Sequence, residues 1–358
     1  MQHSQGKNRS LIDYVIDMRT GLVLVILIIF FSSITDTFFT TRNAVLVAKH
    51  VALYSFIALG MTMVIITGGI DLSVGSVAGL CGMIAGYLIN KGIRVESMKM
   101  TIYPSIPLVV LICLLVGGLI GLLNGTLISH FKMPPFIATL GTMYIARGLA
   151  LLSSRGHTFP NLDGKPEFGN QGFDTIGLKS FGGIPMQIWL MILFVLIAAY
   201  VLNKTILGHH IYAVGGNSEA ARISGVNVSR TLIFTYVFSG ICACMSGLIA
   251  ASQLVASHPA TGEAWEMTAI AATVLGGTSM SGGIGSIGGT ITGLFVITVL
   301  QDGMVMVGVS QFWQKVFTGV VVIVAVLFDL YQGKLEDAIA YRRALKKKKN
   351  ISSNQSTN

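Results

Sequence analysis

Thr67-Gly68-Gly69-Ile70-Asp71-Leu72-Ser73-Val74-Gly75-Ser76 is a polar, glycine-rich break between two apolar stretches, Val51 to Ile66 and Val74 to Ile89. Each flank is long enough to lie in a bilayer, so the break falls where lipid offers the backbone no hydrogen bonds. Irregular backbone at that depth persists only when it is buried in protein or faces a wet cavity. An Asp left in mid-helix costs roughly 2.5 to 3.5 kcal/mol on insertion scales, so Asp71 either caps the following helix or faces an interior. The pattern GGxxxSxG returns 208 residues later as Gly276-Gly277-Thr278-Ser279-Met280-Ser281-Gly282-Gly283, again after an apolar run. A repeated break in equivalent segments points to a transport pathway.

Composition sets the class. With 53% hydrophobic and 11% charged residues and a mean hydropathy of +0.73, the chain departs far from soluble domains, whose charged fraction is about 25%. It reads as an all-α, polytopic transmembrane bundle. The 42 glycines suit close helix crossing in lipid, where small residues let backbones approach. A net charge of +9 would fit a nucleic-acid partner, but the basic residues sit between apolar runs and in the tail, as topology signals do. Cys81, Cys113, Cys242 and Cys244 all lie in apolar runs and are read as packing residues. The first apolar run, Gly21 to Phe31, has no convincing cleavage site after it and is read as a span.

A bilayer core needs about 20 mostly apolar residues per helix. Ten segments qualify: 20–38, 51–67, 72–90, 105–128, 135–153, 186–203, 230–255, 266–281, 284–302 and 312–330. The eighth is short and ends in the repeated break, which predicts a half-helix or a re-entrant segment. The chain thus divides into residues 1–19 before the bundle, 20–330 within it, and a basic tail, 331–358, ending in Lys346 to Lys349 and a polar stretch. With a cytoplasmic N-terminus, 14 of the 24 Lys and Arg residues fall on the inner side, a modest bias that puts both ends inside.

Two connections are long. Arg155 to Pro185 is expected outside, as an ordered cap or a partner surface. Lys204 to Arg230 is expected inside and carries Asn217-Ser218-Glu219-Ala220-Ala221-Arg222, followed by Gly225. Asn217 or Ser218 can cap a short helix, Glu219 complements its N-terminal dipole, and Gly225 suits a left-handed stop. On local chemistry this is either an interfacial connector or a docking knob for a cytoplasmic motor subunit.

Four stretches, GGIDLSVGS at 68–76, PPFIATLGTMYIARG at 134–148, YAVGGNSEAARISGVNV at 212–228 and AIAATVLGGTSMSGGIGS at 269–286, resemble the permease subunits of bacterial ATP-binding-cassette sugar importers of the ribose type. The resemblance covers residues 20 to 330 in the same order. It implies a pore-forming permease in the bacterial inner membrane that works as a dimer with a second copy or a paralogue. It also implies a cytoplasmic ATPase docked against Asn217 to Arg222 and Gly225, and an extracytoplasmic binding protein that delivers a monosaccharide. ATP and Mg would be held by the ATPase, since no GxxxxGK[ST] loop occurs here; this chain would bind no cofactor and catalyse nothing.

Candidate path residues are Gly68, Gly69, Asp71, Ser73, Asn124, Gly276, Gly277, Ser279 and Ser281. For the two breaks an architectural reading stands beside the path reading, with Asp71 or Ser73 capping the next helix and Ser279 and Ser281 satisfying freed backbone groups. Arg147, within the fifth span, is expected to pair in the bundle or reach an interface, and Asn124 and Gln301 to bond between helices. His258, Glu263 and Glu266 lack metal-ligand spacing and are expected in an outside loop that helps seat the binding protein. An ion-coupled secondary transporter, with Asp71 as coupling carboxylate, is the competing hypothesis. An intramembrane enzyme ranks last, because the histidines lie at span ends, in loops and in the N-terminal tail.

Overall fold

The computed structural model describes residues 11–96, 99–324, 326 and 327. The first ten residues and the tail from 331, with its lysine run, lie outside them. Helices α1 (Leu11–Ile34), α2 (Thr41–Ile66), α3 (Val74–Asn90), α4 (Ile106–Ser129) and α5 (Pro135–Ser154) are followed by the single turn α6 (Asp174–Gly177) and α7 (Met186–Lys204). Then come α8 (Ile206–Gly216), α9 (Ser218–Ile223), α10 (Val228–Leu254), α11 (Trp265–Leu275) and α12 (Ile287–Met306), and α13 (Gln311–Val324). Six of these, α2, α4, α5, α7, α10 and α12, are long and apolar enough to cross a membrane. The molecule is a multi-pass helical membrane protein, with Leu111, Leu115 and Leu119 of α4 and Leu193 and Leu196 of α7 turned outward.

The expected second span starts too late. Helix α2 begins ten residues earlier, at Thr41, because Thr40 caps it by accepting from the Asn43 N–H and Asn43 in turn donates to Phe38 O. The third span is no lipid-facing helix: 14 of the 17 residues of α3 are buried. Its core partner is α10, whose Cys242, Cys244, Leu248 and Ile249 are inaccessible. The four cysteines are free and buried; Cys81 and Cys113 each direct the thiol at the other's backbone carbonyl, at 3.6 and 3.5 Å.

One end of the bundle carries a folded cap. Strand β3 (Phe159–Pro160) pairs antiparallel with β6 (Ala256–Ser257), while β1 (Ile93–Val95) with β2 (Met100–Ile102) and β4 (Ser180–Phe181) with β5 (Ile184–Pro185) form small hairpins. Leu162 and Phe173 are fully buried. Asn170 ties the cap to α3 by donating to Ile89 O, and Ser252 of α10 donates to Phe173 O and accepts from Gly177 N. The expectation of an ordered cap over 155–185 therefore holds. The opposite end carries α8 and α9.

The eighth expected span is the half-helix that its length and closing break predict. Helix α11 has 11 residues, about 16 Å, roughly half of a 30 Å hydrocarbon core. The other half of that crossing is made by residues 257–262, which run down α3 from the cap end. Side chains at Gly86, Gly79 and Gly75 would collide in turn with Ser257, Thr261 and Gly262. Gly86 to Gly75 covers about 16 Å of helix, so the two halves together suffice to cross. His258 stays at the cap end beside β6, whereas the chain from it to Glu263 descends along α3 into the bundle and does not form the surface loop expected.

Candidate functional site

The break after α2 is built by local chemistry. Gly68 adopts φ +81°, its N–H returns to Ile65 O, and the Gly69 N–H returns to Val64 O, a Schellman stop that needs a residue free of a Cβ at the left-handed position. Three residues after Gly68, Asp71 Oδ1 accepts from the Ser73 N–H at 3.0 Å and from the Ser73 hydroxyl at 2.6 Å. Asp71 is thus the capping group at the start of α3; Ser73, though at the N-cap, makes no side-chain cap bond.

The rest of the carboxyl is satisfied from elsewhere in the bundle. Ser239 of α10 donates to Oδ2 at 2.8 Å. Asn124 of α4 donates to the Ser73 hydroxyl at 3.0 Å, and Thr142 of α5 donates to Asn124 Oδ1 at 2.7 Å. Asp71, Ser73, Asn124, Thr142 and Ser239 are all buried. Every bond along this chain donates toward Asp71, the arrangement a carboxylate acceptor requires. The network binds α10, α4 and α5 to the break. Asn124 and Gln301, which donates to Thr318 of α13 at 3.4 Å, both bond between helices as expected.

The second break repeats the stop one residue out of sequence register. Gly277, at φ +87°, occupies the place of Gly68, with Gly277 N to Val274 O and Thr278 N to Thr273 O. Gly276 corresponds to Thr67, not Gly68. Beyond the stop the two differ: α12 starts only at Ile287, capped by the Ser286 hydroxyl, which accepts from Gly289 N. Ser279 does satisfy a freed group, accepting from Ser281 N at 3.3 Å. The Gly283 N–H goes to Ile66 O at 2.8 Å, so the second break docks on the end of the helix that precedes the first.

Helix α8 joins them at the same point. A Cβ on Gly215 would collide with Ile66 O and the Gly283 nitrogen, and the Tyr212 hydroxyl donates to Gly285 O at 2.8 Å. Immediately after α8, Asn217 Oδ1 accepts from Ala220 N and caps α9. Gly225, at φ +87°, ends it with bonds from Gly225 N to Arg222 O and Val226 N to Ala221 O. Ala221 packs inward; Asn217, Ser218, Glu219, Ala220, Arg222 and Gly225 are exposed. The Glu219 carboxylate and Arg222 guanidinium pair at 2.5 Å, and that hydrogen bond and charge hold the Glu219 carboxyl below its ordinary range and the Arg222 guanidinium above its own.

A second polar group lies halfway through the bundle. Arg147 donates to Pro259 O at 2.5 Å and Thr261 O at 2.8 Å, so it pairs within the bundle, pinning the descending segment. Glu266 and Glu263 lie close enough to act on its charge. Nothing in the sequence pointed to Ser239, Thr142 or this arrangement, since a lone Ser or Thr in a span carries no signal. The glycine spacing Gly75, Gly79, Gly82, Gly86 was the one trace of a backbone seated against α3.

Comparison with known proteins agrees with this architecture. The chain is 36% identical over 333 residues to the ribose import permease protein of Haemophilus influenzae, covering 93% of this chain and 99% of that one. It is 40% identical over 308 residues to the ribose import permease protein of Bacillus subtilis, covering 86% and 91%. With the galactose/methyl galactoside import permease protein of Escherichia coli it shares 33% over 329 residues, covering 90% and 96%. No solved structure matches. The family described as branched-chain amino acid transport system / permease component matches residues 43–326, and the chain belongs to that family.

Proposed function

We propose that this chain is the membrane-spanning permease subunit of an ATP-driven importer in a bacterial inner membrane, and that it passes a monosaccharide, ribose or a related sugar, delivered by an extracytoplasmic binding protein. Two permease chains form the pore. A partner ATPase binds ATP and Mg and docks on Asn217 to Arg222 and Gly225, on the cytoplasmic side with both termini. The carrying observation is the junction at Ile66, where the base of the exposed α8–α9 unit, Gly215, meets both broken segments. A push on α9 is delivered through a rigid, capped turn to the two places where the bundle's backbone is irregular. Motion there follows from different affinities of the motor's nucleotide states for the two pore states. Import permease names among the relatives support the same reading.

The test is sugar uptake in vesicles holding this chain with an ATPase and a binding protein. Glu219→Lys places like charges at 219 and 222, and Gly225→Pro forces φ near −65° on a residue held at +87°. Both variants are expected to insert yet lose ATPase association and ATP-driven uptake. Uptake that persists without the ATPase and follows an ion gradient would overturn the proposal.

A further inference from the structure

Three helical rulers place Arg147, Trp265 and Glu266 near the middle of the bundle, with Glu263 two residues before Trp265. Arg147 stands twelve residues into α5, about 18 Å from its start at the α8–α9 end. Trp265 packs edge-on against Tyr54, twelve residues back from Ile66 on α2, again about 18 Å from that end. Glu266 Oε2 lies 2.6 Å from where a Cβ on Gly75 would stand, about 22 Å below the cap-end tip of α3. All three agree on the middle of the bundle.

At that depth the polar group is not enclosed. Glu263 and Ala264 are exposed, Met267 is 44% exposed, and Arg147, Trp265 and Glu266 are half-buried. Lipid does not tolerate such a face: ionisable groups and unpaired backbone at mid-membrane face a bundle interior or water. The Asp71 network is a different case, since it is closed, internally bonded and buried.

We propose that the face formed by residues 258–267 and Arg147 lines the translocation path, and that Glu263 and Glu266 form a way-station for a neutral polyhydroxylated solute. Their carboxylate oxygens accept hydrogen bonds from sugar hydroxyls, the exposed part of Trp265 offers an apolar surface to the sugar's C–H groups, and Arg147 holds the segment in place through Pro259 O and Thr261 O. Two carboxylates against one guanidinium leave the station net negative, which disfavours anionic sugar acids. The inference rests on the importer reading above and names its solute contacts.

The experiment uses the complete importer in vesicles, with Glu263→Cys and, separately, Ala264→Cys; the native cysteines are buried and contribute little background. A membrane-impermeant charged thiol reagent is expected to modify both variants and to be slowed by ribose supplied with the binding protein. Leu119→Cys, on the lipid-facing side of α4, should react only with a lipid-soluble maleimide. In parallel, Glu266→Gln should raise the KM for uptake about tenfold. Reaction at 263 and 264 only from lipid, or with neither reagent, would overturn the inference, as would a Glu266→Gln chain with unchanged KM. Loss of ATP-driven uptake in the wild type would instead count against the importer reading, while the labelling pattern would still report which face is wet.

Discussion

At the scale of single residues, Asp71 matters through what donates to it. Interhelical hydrogen bonds between neutral groups in membranes average about 0.6 kcal/mol, whereas bonds to a charged group are worth about 1.5 to 3 kcal/mol. Ser239→Ala removes a donor to the carboxyl itself, and Thr142→Ala only a bond two links away. Ser239→Ala should therefore lower the thermal unfolding midpoint in detergent more than Thr142→Ala does. Because Asn124 reaches Asp71 only through Ser73, the double change Ser239→Ala with Asn124→Ala should be non-additive. Additive losses would show that the five residues do not act as one unit. The sequence exposed Asp71 as costly, but it named neither Ser239 nor Thr142, because a hydroxyl 168 residues away becomes a partner only when α10 crosses the break.

Among the elements, α3 is the one whose composition is explained by its neighbours. Its glycines do not all do the same thing. A Cβ on Gly79 would stand 2.5 Å from Thr261 O and 2.9 Å from the Arg147 guanidinium, whereas one on Gly82 would meet nothing closer than Gly247 O at 3.4 Å, an ordinary contact. Overpacking a tight site costs about 1 to 3 kcal/mol. Gly79→Ala is expected to destabilise by that order and to make the 257–262 segment accessible to protease, while Gly82→Ala is tolerated. Equal sensitivity at the two positions would mean that the descending segment does not rest on α3. Helix ends were more readable than helix partners: Asn217 and Gly225 close α9 as their chemistry predicts, since capping draws on residues three to five apart. The start of α2 was misread because Arg42, Lys49 and His50 look like a loop until Thr40 caps them into the helix.

For the whole molecule, the junction at Ile66 makes a prediction about coupling that no single helix makes. Gly215 is closed in by Ile66 O and Gly283, while Gly216, the next residue, has open space where its Cβ would be. Gly215→Ala should wedge α8 away from both breaks, so that the partner ATPase still hydrolyses ATP while sugar uptake per ATP falls. Gly216→Ala should leave that ratio near wild type. The ratio, measured in vesicles, separates a coupling defect from a folding defect, because a misfolded chain would lose ATPase association as well. An unchanged ratio for Gly215→Ala would place the transmission elsewhere.

What this sequence determined by itself was whatever depends on neighbours along the chain. Hydropathy marked the spans, the low charged fraction marked the membrane, glycines marked the stops after α2 and α11, and polar caps delimited α9. Tertiary structure alone decided the rest. It shifted the second break by one residue relative to the GGxxxSxG match, because the stop is set by which glycine reaches a left-handed φ and not by the spelling of the repeat. It drew residues 257–262 into the bundle, because the glycine face of α3 leaves room for their backbone and the Arg147 guanidinium donates to two of their carbonyls. The physical reason is common to both: in lipid every backbone polar group must find a protein partner, and which partner it finds depends on how helices far apart in sequence cross.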